Sequence, residues 1–175
     1  METKTKLILT VLNIISWVVF IGLCMKTGAI VISFFVSLFV NPEGARDLYL
    51  GLDLHDLYSF SLRHYVGVVS LVVFLSGLKA YLAYLVVKIF SKFDYANPFN
   101  STNAALISQI SHIALGTGVL AVIASSYSKV LLKSGIALPL HWESSEFLFL
   151  AGIIFIIAQV FKRGIELQTE NELTV

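Results

Sequence analysis

The sequence predicts an all-α integral membrane protein: a four-transmembrane-helix bundle whose long first helix extends beyond the outer face, with both termini cytosolic. Three observations predict it. Hydrophobic residues make up 57% of the chain and charged residues only 13%, with a mean hydropathy of +0.86. A soluble domain carries about 25% charged residues, so this chain lacks the polar surface of one. Four apolar segments have the length, about 20 residues, that a helix needs to cross the hydrocarbon core. Between them lie connections holding Pro, Ser and Asn, which stop and start helices.

The elements follow in order. The first span covers residues 7–25, and its apolar character resumes after Lys26-Thr27-Gly28 and continues to residue 40. METKTK before it is basic, like the start of a signal peptide, but the apolar run is longer than an h-region and no A-x-A site follows. A retained first helix is the expectation. Its outer part carries Ser33 and Ser37 on the same helical face as Lys26. Asn41-Pro42 ends it, because a residue before Pro avoids the α region. The outer loop, 41–63, alternates Leu with polar residues; Leu48, Leu50, Leu54 and Tyr58 are expected to pack on the bundle or the membrane surface. The second span is 64–90 and the inner loop 91–103, where Ser101, Thr102 and Asn103 are natural N-caps. The third span is 104–132 and the fourth 145–163. Residues 164–175 are expected to extend the fourth helix by a few turns and to dock their apolar side on the Asp94–Asn103 loop.

Lys and Arg near the span ends set orientation. With the N-terminus inside, Lys4, Lys6, Lys88, Lys92, Lys162 and Arg163 face the cytosol, against Lys26, Arg46, Arg63, Lys129 and Lys133 outside. The net charge of +1 gives no reason to expect direct nucleic-acid binding. A single cysteine, Cys24, excludes an intramolecular disulfide and any cysteine-based zinc site.

Two constellations could carry chemistry. Lys79 sits within the second span, about 16 Å from its inner end at 1.5 Å per residue, where a charge costs about 2.5–3.5 kcal/mol on insertion scales. Counted the same way, His112, Gln109 and Asn13 fall in the inner half of their own spans, and no acid lies at that depth in any span to neutralise Lys79. This layer suits an anionic ligand or a proton or ion relay. It is equally what snorkelling of Lys79 and ordinary interhelical hydrogen bonds produce. On the outer side His55, His64 and His141, with Asp53, Asp56 and Glu143, form a weak metal candidate, since H-x-x-x-H and H-E-x-x-H spacings are absent. No metal and no cofactor is expected. Gly116-Thr117-Gly118 reads as a close-packing or kink site, and no nucleophile–base pair or phosphate loop is visible.

Two stretches carry a resemblance. ANPFNSTNAALISQISHIALG after the second span and AQVFKRGIELQTENELTV at the end resemble the bacterial membrane family catalogued as domain of unknown function 2975. The motifs are Asn97-Pro98-Phe99 and the closing Glu170-Asn171-Glu172-Leu173-Thr174-Val175. The resemblance implies four helices, both ends inside, a multi-pass protein of the inner (cytoplasmic) membrane, and no established activity. Association with a small helix-turn-helix regulator is implied the same way.

The function expected is therefore a non-enzymatic membrane-embedded binding or regulatory module acting with a cytosolic partner. Its partner site would be Asn97, Pro98 and Phe99 with Glu166, Glu170, Asn171 and Glu172. The alternative is a small transporter or channel subunit using the polar layer around Lys79 and His112, which would call for a homo-oligomer or a polar path to the outer side. The remaining partner is the lipid bilayer.

Overall fold

The computed structural model of the protein describes residues 2–91 and 100–173, with side chains from 7 to 91 and from 100 to 170. Among the described residues five α-helices form: α1 (Glu2–Phe39), α2 (His55–Phe60), α3 (Leu62–Ser91), α4 (Ser101–Lys133) and α5 (Ser144–Leu173). Four of them, α1, α3, α4 and α5, are long and apolar enough to cross a membrane. No strand occurs among the described residues.

The long helices are antiparallel in chain order. Ser37 meets Tyr65 and Phe20 meets Tyr84 between α1 and α3. His64 meets Tyr127 and Tyr81 meets Gln109 between α3 and α4, and Ser111 meets Ala151 between α4 and α5. The ring of a closed bundle is not completed. Among the described residues no Cα of α1 lies within 8 Å of α4 or α5, and none of α3 within 8 Å of α5. We call the end holding residues 40–61 and 134–143 the cap end, and the other the terminal end.

α1 is one uninterrupted helix of 38 residues, about 57 Å long. Its stretch 7–25 has no buried residue. Such a surface would collapse in water, whereas lipid accepts it, because only the backbone must be satisfied internally there. The other part of α1 packs. Its Lys26–Ile30–Ser33–Ser37 face turns to α3; Ile30 and Ser37 are buried, and Ser37 Oγ lies 2.6 Å from the Tyr65 hydroxyl.

The loop after α1 is structured. The Asn41 side chain accepts from the Glu43 amide and starts a 3₁₀ turn, Pro42–Arg46, in which Arg46 pairs with Glu43. That carboxylate holds the Arg46 guanidinium above its ordinary pKa by hydrogen bonding and charge. Gly44 sits where a side chain would meet the Ser37 backbone at 3.4 Å. Leu48 and Leu54 join the core with Leu57, Tyr65, Val68 and Leu131, and Tyr58 packs against it. Leu50 does not: it sits at positive φ beside Gly51 in a turn closed by Leu52 N–H to the Tyr49 carbonyl, and it is 85% exposed.

Two other expectations shift. Asn100, one residue before the expected Ser101–Asn103 group, caps α4 by accepting from the Asn103 amide at 2.8 Å. α5 continues as helix well past Lys162 and Arg163, to Leu173, as expected of the tail. Residues 94–99 of the loop on which it is expected to dock, including the partner residues Asn97, Pro98 and Phe99, lie outside the described residues.

Candidate functional site

Helical side chains lean toward the N-terminus of their own helix. α3 begins at the cap end, so Lys79 leans there. Its Nζ donates to Glu143 Oε2 at 2.7 Å and stands 5.2 Å from the centroid of the Phe147 ring. Lys79 therefore has an acid, and it is one that lies outside the spans. The acid comes from the connection before α5, 64 residues away in sequence. Glu143 adopts a positive φ of 51°, unusual for a residue with a Cβ, as the chain turns into α5. Trp142 beside it donates from Nε1 to Ser128 Oγ on α4 at 2.8 Å. The Lys79 side chain thus reaches from α3 to Glu143 and to Phe147 in the first turn of α5.

Around this pair lies a cavity of about 230 Å³ at the cap end. Lys26, Ser76, Lys79, His141, Trp142 and Glu143 supply its polar groups, with Ile30, Val72 and Leu75 among the apolar ones. Lys26 reaches it from α1, its ammonium 5.9 Å from the Tyr49 ring centroid. Among the described residues no carboxylate lies within ion-pair distance of Lys26. Two ammonium groups thus face one carboxylate. Sequence reasoning missed Lys26 and Ser76 as site residues. The available signal was the shared face of Lys26, Ser33 and Ser37, which is the face α1 presents to α3.

The rest of the expected layer disperses. α4 begins at the terminal end, so Gln109 and His112 lean away from Lys79. Gln109 Nε2 donates to the Tyr81 hydroxyl at 2.8 Å, and His112 Nδ1 lies 2.6 Å from the Ser108 carbonyl one turn back. Both line an open groove with Ser101, Lys162, Ile165 and Glu166 at the terminal end. Glu166 is also paired with Arg163 at 2.8 Å. Asn13 stays apart on α1, its buried Oδ1 without a hydrogen-bond partner among the described residues.

The three histidines are not brought together. His64 Nδ1 lies 2.6 Å from the Tyr127 hydroxyl, His55 faces Ser59, and His141 lines the Lys79 cavity. Asp53 accepts from the His55 amide at 2.8 Å, just before α2. Among the described residues no three His, Cys, Asp or Glu side chains could hold a metal ion together.

No curated protein and no solved structure matches the chain. A family model does match, over residues 41–175, which hold α2 to α5 and every charged group of the cavity except Lys26. The chain belongs to that family, described as protein of unknown function (DUF2975).

Proposed function

We propose that the protein is a non-enzymatic binding and regulatory module of the inner membrane that engages a cytosolic protein at its terminal end, with both chain termini cytosolic. The observation that carries this reading is the continuity of α5. A tail that merely solubilised the last span would need no order, yet the helix persists to Leu173 and brings Glu166 beside Gln109 and His112 of α4. That combination of helix, charge and groove suits a protein surface better than bulk water. The resemblance of the tail and inner loop adds a small helix-turn-helix regulator as the partner to look for.

Two experiments test it. In a Cys24→Ser background, Gln168→Cys should resist an impermeant thiol reagent in intact cells and react after lysis; labelling in intact cells defeats the orientation. Deleting residues 166–175, or reversing one charge by Glu166→Lys, should leave insertion intact and remove partners that co-purify from native membranes. Unchanged partners in both variants would show that the tail is not the docking element.

A further inference from the structure

We propose that the cap-end cavity is a binding site for the phosphate head of an anionic phospholipid, which enters sideways between α1 and α5. The site does not depend on the terminal-end partner. Three observations converge on it. The cavity carries one positive charge in excess, since Lys26 and Lys79 face Glu143 alone. A desolvated ammonium near hydrocarbon is costly, and a phosphate oxygen accepting from Lys26, with the buried Ser76 hydroxyl alongside, removes that cost.

The second observation is access. Among the described residues no Cα of α1 lies within 8 Å of α5, so the cavity, which takes Lys26 from α1 and Glu143 from the connection before α5, lies along an open seam. Below it the seam is walled by α1, whose stretch 7–25 holds no fully buried residue, and this wall can receive an acyl chain. The third is level. Lys26 closes the apolar run 7–25, and Glu143 immediately precedes the apolar run of α5. Polar residues thus interrupt the apolar sequence of α1 at Lys26-Thr27 and precede that of α5 where the cavity sits, and a headgroup needs such a polar level. A free phosphate would satisfy the charge but not the seam.

The full-length protein in detergent, with Trp17→Phe so that Trp142 alone reports, is titrated with a short-chain phosphatidylglycerol. Saturable change in Trp142 fluorescence is expected. Phosphatidylcholine of the same chain length should bind at least about tenfold more weakly, because it brings its own cation to a site already in positive excess. Lys26→Gln should weaken phosphatidylglycerol binding about tenfold, the loss of one charge-assisted hydrogen bond. Glu143→Gln should tighten it, because the competing carboxylate is gone; a misfolded variant cannot produce that gain. Equal affinity for the two lipids, saturation by inorganic phosphate in the same concentration range, or no tightening in Glu143→Gln would each overturn the proposal.

Discussion

Lys79 shows what one residue's direction does to a reading of depth. Measured at its Cα, it belongs to the terminal-end half of α3; measured at its Nζ, it belongs to the cap end and to Glu143. The sequence displays both residues and says nothing about their pairing, because the partner arrives on a loop whose path depends on how α4 and α5 pack. The consequence for stability reverses with the partner. Lys79→Met strands Glu143 and should lower the melting temperature, and adding Glu143→Gln should restore most of it. The side chains are 25% and 51% exposed, so a coupling of about 1 kcal/mol or less is expected from the double-mutant cycle. An additive cycle would mean that the pair does not form. The Gly116–Gly118 motif separates in the same way. A Cβ at Gly118 would come within 2.8 Å of the Leu148 side chain and 3.1 Å of its backbone nitrogen, whereas one at Gly116 meets nothing within 4 Å. Gly118→Ala should therefore cost about 1–3 kcal/mol by overpacking the α4–α5 contact, with Gly116→Ala near neutral in the same thermal melt.

Among the elements, the spans were the most legible, since apolar length alone defines them. The caps were less so: Asn100, Ser101, Thr102 and Asn103 are all acceptable N-caps, and only the backbone at Asn100, extended at φ −119° and ψ 157°, selects one. The 41–63 connection was read as packed, and its alternating leucines supported that, but alternation cannot tell which leucine a tight turn will expel. Leu50 is that residue. Replacing it by Asn, which tolerates positive φ better, should stabilise the protein by about 1 kcal/mol. Leu54→Ala, a few residues on, should cost about 2–5 kcal/mol through the cavity it leaves. Thermal unfolding of the two variants in one detergent compares them directly. Similar effects from both would mean that this loop does not hold the conformation described.

At the level of the whole molecule, the sequence shows how many helices can cross and leaves open how they are arranged. Periodicity could not have revealed the arrangement, because lipid-facing and helix-facing positions are both apolar in α1 and α5. The family match begins at residue 41, just after α1, and α1 in turn rests on α3 and the 3₁₀ turn, with no Cα within 8 Å of α4 or α5 among the described residues. The row of neighbours α1–α3–α4–α5 bears on the order of assembly. A closed ring would leave the first helix waiting for the last before its interface was complete. Here α3 finds α1, α4 finds α3 and α5 finds α4 already made as each leaves the ribosome, so packing can keep pace with synthesis. A chain halted after Lys133 should already hold Phe20 beside Tyr84, as a cysteine pair at those positions would report by crosslinking. The last helix then adds to a finished surface and does not close an unfinished one.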